Sequence, residues 1–305
     1  MPLQRLGHWP AVAGLFAFNW FALVSLSPED PAVLAAAVMW YGLLILALGV
    51  LAGEEWLQQG EFLTAYLGFL SRIAPFWLQS DGSRARLKVG WPGTQVLGMQ
   101  PLTVSAMAFV TLALGGLTFD GLHLTFWWLA LIGQNPLEFT GRSTVQGANT
   151  LGLVAIWAIT ALGLFAMFRA GAWLAGGRRA LPAGVVMLSF LAIAAGYHGA
   201  HHLVTLLTSG QFMLAALNDP LFQGDGLLGL SPFFVSIGFL TDQSAMTAIW
   251  NIQFAAILGA HVLAVVLAVQ LAGPGVRMVA HLQLTVLMVG YTVLRLWLLA
   301  APAGA

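Results

Sequence analysis

The 305-residue chain contains no cysteine, which excludes disulfide bonds, thiolate metal sites and cysteine nucleophiles. Any bound metal ion must therefore be held by histidine, by carboxylates or by neutral oxygen donors. Charge is also scarce, because only 7% of the residues are charged, against about 25% in an average soluble domain. The 11 basic and 11 acidic residues cancel, so the chain lacks the basic surface that nucleic-acid binding requires. Nucleic acid is therefore not expected as a partner.

Several enzyme signatures are missing as well. The sequence has no Walker loop, no GxGxxG opening a soluble βαβ unit, no HExxH and no GxSxG. The common nucleotide-binding, zinc-protease and serine-hydrolase motifs thus give no lead, and function has to be argued from other residues.

Long apolar runs fill most of the chain. Hydrophobic residues make up 59% of it and its mean hydropathy is +0.87, which is typical of a polytopic membrane protein. No large water-soluble domain fits between the runs, so residues 1–305 are predicted to form a single all-α transmembrane domain. The predicted helical bundle has about seven spans, near 9–27, 31–53, 101–119, 148–170, 181–207, 244–272 and 279–300.

The segment 54–78 lies between the second and third predicted spans and mixes apolar with polar residues. Its apolar residues recur at helical spacing, which predicts an interfacial or re-entrant helix that stops near Pro75. It also carries the charges Glu54, Glu61 and Arg72. We expect these charges to form ion pairs that hold the segment under the bundle or to bind a partner protein. The alternative is that they take part in catalysis or line a path for ions.

The basic residues predict the orientation. If the N-terminus is cytoplasmic, one basic residue (Arg142) falls in an outer loop, one (Arg295) lies within the last span, and nine fall on the cytoplasmic side. Because Lys and Arg accumulate in cytoplasmic loops, we predict a cytoplasmic N-terminus and a C-terminus outside. The nine are Arg5, Arg72, Arg84, Arg86, Lys88, Arg169, Arg178, Arg179 and Arg277.

The most informative feature is the run Tyr197-His198-Gly199-Ala200-His201-His202, a histidine cluster inside the predicted span 181–207. Ionisable groups are expensive in hydrocarbon, so they usually face a bundle interior and mark a metal site, a proton relay or a ligand path. On a helix His198 lies one turn from both His201 and His202, which point about 100° apart. We expect His198 and one of this pair to share a ligand face. The predicted spans place the segment 54–78 on the opposite side of the membrane from the cluster.

His261, near the middle of the predicted span 244–272, is the expected partner of the cluster. If these consecutive spans pack together, His198 and His261 face one shared polar cavity. Imidazole and carboxylate donors suit zinc, iron, copper or manganese, and Asp120 or Asp219 is expected to supply an oxygen ligand or to orient a histidine. The alternatives are a proton relay and histidines that hydrogen-bond within the bundle for structure alone.

Short motifs spread over most of the chain carry a family resemblance. They are Glu55-Trp56, Gly60-Glu61-Phe62 and Tyr66; Arg72 with Pro75-Phe76; Phe119-Asp120-Gly121; Tyr197-His198 with His201, Gly210 and Gln211; Asp219-Pro220; and Trp250 with Gln253, Gly259 and His261. In these motifs the chain resembles a family of bacterial inner-membrane proteins labelled fenitrothion hydrolase, a membrane-bound organophosphate hydrolase. The resemblance implies hydrolysis of a hydrophobic organophosphate triester that reaches the site from the lipid.

In that reaction a transition metal ion activates water and polarises the P=O or P=S group. The expected metal ligands are His198, His201 and His261, with His202 as a further ligand or the catalytic base and with Asp120 or Asp219 as the orienting carboxylate.

Two other functions stay open. The same histidines suit haem b or copper in an electron-transfer or oxidase subunit. They also suit a transient binding station in a metal- or proton-coupled transporter. Because the chain is compact and has short tails, a further expectation is that it forms one subunit of a larger membrane assembly.

Overall fold

The structure, a computed structural model, describes residues 5–82, 84–138, 141–174, 182–224, 226–231, 234–273 and 279–302. Within them the chain is almost entirely α-helical, with one two-stranded sheet. Three of the predicted cytoplasmic residues, Arg178, Arg179 and Arg277, lie outside the described residues. The helices are α1 (Trp9–Val24), α2 (Pro31–Ala52), α3 (Glu54–Gly60), α4 (Phe62–Ser71), α5 (Val104–Leu122), α6 (Phe126–Leu131), α7 (Arg142–Leu174), α8 (Ala183–Val186), α9 (Phe190–His201), α10 (Leu203–Asn218), α11 (Gln243–Ala272) and α12 (Val279–Ala300).

Among the described residues, five helices are long and apolar enough to cross a membrane. They match five of the seven predicted spans, and the all-helical prediction is confirmed. The other two predicted spans, 9–27 and 279–300, contain α1 with 16 residues and the shorter apolar stretch Thr285–Ala300 of α12. The five are α2, α5, α7, the unit Ala183–His201 that joins α8 and α9, and α11.

Capping residues fix the ends of the long helices. Asp30 accepts hydrogen bonds from two N–H groups in the first turn of α2, and Gly53 ends that helix with a φ of 84° that other residues rarely adopt. Asp242 caps α11 through the N–H groups of Ser244 (2.7 Å) and Ala245 (3.0 Å). The Ser244 hydroxyl and these two N–H groups hold the pKa of the Asp242 carboxyl below its ordinary value, because they stabilise its charged form.

The helices α5 and α9 lie at the centre of the molecule. In each of these two spans 67% of the most apolar stretch is buried, against 0% in α2. α9 packs closely on α11 at Gly196, where a Cβ atom would lie 3.0 Å from the carbonyl oxygen of Ala256 and would collide with Ala260. Small residues let membrane helices approach in this way. The predicted packing of the fifth span on the sixth is therefore confirmed.

The predicted span 181–207 is interrupted at its histidine end. α9 ends at His201, His202 has φ −91° and ψ 7°, and α10 begins at Leu203. These angles lie in the bridge region, which is sparsely populated and often found at active sites. The prediction of one continuous helix through residue 207 was wrong, and the histidine cluster lies at a helix end.

A turn at Glu61 joins α3 to α4. The Glu61 carboxylate caps α4, accepting hydrogen bonds from the N–H groups of Leu63 (2.7 Å) and Thr64 (2.6 Å) and from the Thr64 hydroxyl (2.5 Å). It also accepts a hydrogen bond from the hydroxyl of Tyr41, the eleventh of the 22 residues of α2. These partners replace the ion pair expected for Glu61. The contact with Tyr41 also places the turn at the same height as the middle of α2. A turn at that depth is expected in a re-entrant segment.

The helix α4 reaches the histidines. It packs against α1 and α9, and Tyr66 Oη lies 3.0 Å from Nδ1 of His198. The prediction that the segment 54–78 lies on the opposite side from the histidine cluster was wrong. The physical reason is the turn at Glu61, which carries α4 back along the bundle.

A β-hairpin that was not expected from the sequence follows Pro75. Strand β1 (Phe76–Asp81) pairs antiparallel with β2 (Arg84–Val89). The N–H of Gly90 donates to the carbonyl oxygen of Pro75 at 2.8 Å and closes the base of the hairpin.

Candidate metal centre

Two central helices bring a carboxylate and an imidazole together. Asp120 lies in the last turn of α5, and His201 is the last residue of α9. Asp120 Oδ2 and His201 Nε2 are 2.9 Å apart, and their side chains are 24% and 23% exposed. The pair is therefore half-buried and still reachable by a small molecule or an ion.

His202 completes the group. The ligand atoms of Asp120, His201 and His202 all lie within 4.8 Å of one another. Neighbouring residues within a helix point about 100° apart, but the helix ends here, and the two imidazole rings stand with their centroids 5.0 Å apart. The break between α9 and α10 therefore allows two consecutive histidines to face one carboxylate.

The donor set fits a transition metal ion. Nitrogen and oxygen ligands lie about 2.0–2.2 Å from zinc, so two ligands of one ion are about 3–3.5 Å apart. The ligand atoms of the three residues lie within 4.8 Å of one another, and the 2.9 Å contact of Asp120 Oδ2 with His201 Nε2 is a hydrogen bond that a bound ion would replace. Two imidazoles and one carboxylate also form a common catalytic zinc set that leaves a position for water.

His198, expected as a ligand, lies beside this group rather than in it. Its ring centroid is 4.7 Å from that of His202, and its Nδ1 is paired with Tyr66. Because Nδ1 is occupied, Nε2 is the ring nitrogen left to act on a ligand. His198 and His202 lie side by side, as predicted for His198 and one of the two following histidines. The group of three nevertheless does not include His198.

His261, also expected as a ligand, is not brought to the group. Its Nδ1 lies 2.8 Å from the carbonyl oxygen of Ile257, and its ring contacts that of Tyr291 at a centroid distance of 6.3 Å. Its Nε2 is buried and has no hydrogen-bond partner among the residues that the structure describes. The expectation that His198 and His261 line one shared cavity is corrected, because the cavity that His198 lines does not include His261.

The register of α9 on α11 explains this separation. Ala260, which directly precedes the histidine of α11, lies against Gly196. Gln253, two turns earlier, donates from Nε2 to the carbonyl oxygen of Ala200 at 2.8 Å. His201 follows Gly196 by five residues, which is roughly 7.5 Å along a helix axis. The helices pack as predicted, but Gln253 is the residue of α11 that lies level with the cluster.

Asp219, the second expected carboxylate, serves the loop after α10. Its two oxygens accept hydrogen bonds from the N–H groups of Gln223 and Gly224, both at 2.8 Å. Asp219 is not part of the group of three. Of the two carboxylates proposed from the sequence, Asp120 is the one that the fold brings to the histidines.

An apolar cavity of about 340 Å³ opens beside the centre. Apolar side chains of α1, α4 and α5 form most of its wall, and Asp120, His198 and His202 are its ionisable residues. Asn19 and Tyr66 add two further polar groups. The volume lies within the roughly 300–1,000 Å³ of small-molecule sites, and an apolar wall with few polar groups is typical of them.

A buried cation lies close to the site. Arg295 is 0% exposed, and its guanidinium carbon lies 3.8 Å from the ring centroid of Tyr197 and 4.5 Å from that of Tyr291. It donates hydrogen bonds to the carbonyl oxygen of Leu114 at 2.8 Å and to the Tyr291 hydroxyl. The Tyr197 ring also stacks on His201, with centroids 5.4 Å apart and an interplanar angle of 15°. Two aromatic faces thus stabilise the cation, and one of them supports a residue of the metal group.

Sequence reasoning missed the roles of Tyr66 and Tyr197. Tyr66 lies 132 residues before its partner His198, and its place in a helical pattern says nothing about that contact. Tyr197 has a signal, since it lies one turn before His201 and aromatic residues at that spacing stack.

Comparison with family models, with curated proteins and with solved structures finds no match for this chain.

Proposed function

We propose that this chain is an integral membrane hydrolase that binds one transition metal ion and cleaves an apolar organophosphate triester. The observation that carries the proposal is the convergence of Asp120, His201 and His202 beside an apolar cavity. The resemblance of its motifs to the fenitrothion hydrolase family supports the substrate class.

The donor set favours zinc for a hydrolytic reaction, with iron, copper and manganese as the other ions that such ligands hold. A metal ion held by Asp120, His201 and His202 would supply an activated water molecule and would polarise the phosphoryl group. The chain contributes the ligands from α5 and from the break after α9. It also contributes the apolar wall, which keeps bulk water away from the reacting centre.

His198 is the proposed proton acceptor. Tyr66 holds its Nδ1, and the imidazole lines the cavity next to His202. The reaction consumes one water molecule: a bond forms from its oxygen to phosphorus, and the bond from phosphorus to the leaving oxygen breaks. His198 takes the proton of the water and can return it to the leaving group.

The cavity wall selects an uncharged substrate. Residues such as Phe18, Phe62 and Leu117 offer apolar surface, and α1 and α4 carry exposed side chains that would face the lipid in a membrane. A neutral triester dissolves in lipid and enters such a cavity without desolvating a charge.

The proposed topology has seven spans, with α1 and α12 completing the set, in a bacterial inner membrane. The N-terminus is cytoplasmic and the C-terminus is outside, because Lys and Arg concentrate on the cytoplasmic side. In this arrangement α3 and α4 re-enter the membrane with Glu61 at their turn. Reporter fusions at the two termini test it, and both reporters on one side of the membrane would contradict it.

The activity is tested by hydrolysis of fenitrothion by the purified protein in detergent, followed by release of the nitrophenol. We expect turnover by the wild type, at least 100-fold loss in His198→Ala in line with the loss of a general base, and near-normal turnover in His261→Ala. Absence of turnover by metal-loaded wild type overturns the hydrolase proposal and leaves the metal site to be tested separately.

Metal-ion transport is a second candidate function, favoured by the two interruptions at Glu61 and His202. Transporters place their ion sites at broken helices in this way. Uptake of the metal ion into proteoliposomes, without triester hydrolysis, would favour transport over the hydrolase. A visible spectrum of the purified protein distinguishes both from a haem or copper electron-transfer protein.

A further inference from the structure

The β-hairpin sorts its side chains into two faces. Phe76 pairs with Val89, and Leu78 pairs with Leu87. Side chains alternate between faces along a strand, so these four lie together on one side. They are 62%, 79%, 71% and 67% exposed respectively, so the apolar face is uncovered in the isolated chain.

The other face carries the basic residues. Lys88 pairs with Trp77, Arg86 with Gln79 and Arg84 with Asp81. All six residues of β2 are exposed. The hairpin is therefore amphipathic, with an apolar face and a face that concentrates three cations.

The position of the hairpin is fixed by its base. The N–H of Gly90 donates to the carbonyl oxygen of Pro75 at 2.8 Å, and the N–H of Gly93 donates to that of Ile73 at 3.1 Å. Gly93, with a φ of 78°, lies against Leu267 near the end of α11, where a Cβ atom would approach to 2.9 Å. The hairpin is thus anchored where α4 and α11 end, at the border of the helical bundle.

We propose that this hairpin lies in the interface of an anionic membrane leaflet. Its apolar face rests at the boundary of headgroups and acyl chains, and Arg84, Arg86 and Lys88 bind anionic lipid headgroups. An amphipathic element with aromatic and aliphatic residues on one face and Lys or Arg on the other favours this in-plane position.

Two further observations support lipid as the occupant. An isolated two-stranded hairpin is marginally stable in water and needs a surface that covers its apolar face. The hairpin is anchored beside candidate membrane spans, and Trp91, which follows it, is 86% exposed, as expected for an aromatic residue at a membrane interface. This inference is independent of the metal centre and of the proposed hydrolysis.

Single cysteines provide the test, because the chain has none of its own. Leu78→Cys and Leu87→Cys report on the apolar face, and Gln79→Cys and Arg86→Cys report on the basic face. Each full-length variant is spin-labelled and reconstituted into vesicles of phosphatidylcholine with or without phosphatidylglycerol. Collision with oxygen, which prefers lipid, is compared with collision with a water-soluble nickel chelate.

We expect the ratio of oxygen to nickel collisions to be several-fold higher for the two apolar-face labels than for the two basic-face labels in vesicles with phosphatidylglycerol. Replacing Arg84, Arg86 and Lys88 together by Gln is expected to lower the ratio of oxygen to nickel collisions at Leu78→Cys. The matched control Arg169→Gln, an exposed basic residue on α7, is expected to leave it unchanged.

Two results would overturn the proposal. Equal access of nickel to both faces would place the hairpin in water. Shielding of the apolar-face labels from both oxygen and nickel would mean that a protein surface covers that face. An unaltered gel-filtration profile shows that each variant has kept its fold.

Discussion

Asp120 of α5 and His201 of α9 lie 2.9 Å apart, although 81 residues separate them in the chain. Their meeting depends on two local features: Asp120 lies in the last turn of α5, and α9 ends at His201. Since His202 follows directly and turns toward the same carboxylate, the end of one helix supplies two donors. This geometry is the basis of the proposed metal centre.

Removing the Tyr66 hydroxyl should impair catalysis without removing metal. In Tyr66→Phe the hydrogen bond to His198 is lost, and a hydrogen bond of about 1 kcal/mol corresponds to roughly a fivefold fall in turnover. Metal content should stay at the wild-type value. The control is Tyr197→Phe, which also removes a phenol hydroxyl near the site but keeps the Tyr66–His198 contact and a ring that can stack on His201. Equal loss of turnover in both variants would contradict the role given to Tyr66.

Glu61 should be important for stability. Glu61→Ala removes the cap of α4 and leaves the Tyr41 hydroxyl without its acceptor. Loss of a cap costs about 1–2 kcal/mol, so we expect the midpoint of thermal unfolding in detergent to fall by several degrees. Glu55→Ala is the matched control, since Glu55 is exposed at the start of α3. A midpoint equal to that of the control would contradict this prediction.

The contact of α9 with α11 should tolerate no added methyl group at Gly196. A Cβ atom there would collide with Ala260, so Gly196→Ala should lower the free energy of unfolding by about 1–3 kcal/mol. Gly199→Ala, on the same helix, meets nothing within 4 Å and should be neutral or stabilising. The two midpoints of thermal unfolding, measured side by side, check this. A lower midpoint for Gly199→Ala than for Gly196→Ala would contradict the described packing.

The sequence predicted the helical class from apolar runs of span length. It predicted the packing of the fifth span on the sixth because the two are consecutive and both carry histidines, which are costly in lipid. It did not predict the break at His202, since no glycine or proline marks it. Nor did it predict the register that sets Gln253, rather than His261, level with the cluster. Register depends on contacts of small residues such as Gly196 with Ala260, which are far apart in the chain.

The prediction that the segment 54–78 lies on the opposite side of the membrane from the histidine cluster failed for a related reason. The predicted spans put the connection that contains this segment on the cytoplasmic side and the histidine cluster toward the outer side. In the fold the Glu61 carboxylate accepts hydrogen bonds from the first turn of α4 and from Tyr41. These hydrogen bonds compensate for the cost of burying the carboxylate at the turn. Sequence alone gave no sign of those partners.

The expected ligand His261 now serves as a control. It lies outside the group of three, and its Nδ1 is held by the carbonyl oxygen of Ile257. His261→Ala should therefore keep the bound metal, and dialysis against a chelator should remove metal from this variant and from the wild type at similar rates. Selective loss of metal from His261→Ala would return this residue to the ligand set.

The metal content of the purified protein, measured by inductively coupled plasma mass spectrometry, tests the central claim most directly. We predict about one transition metal ion per chain in the wild type and in His261→Ala, and loss of most of it in Asp120→Asn, His201→Ala and His202→Ala, because three protein ligands are the usual minimum for such a site. Metal-free wild-type protein after growth and purification with added metal, or undiminished metal in all three ligand variants, would contradict the proposed centre.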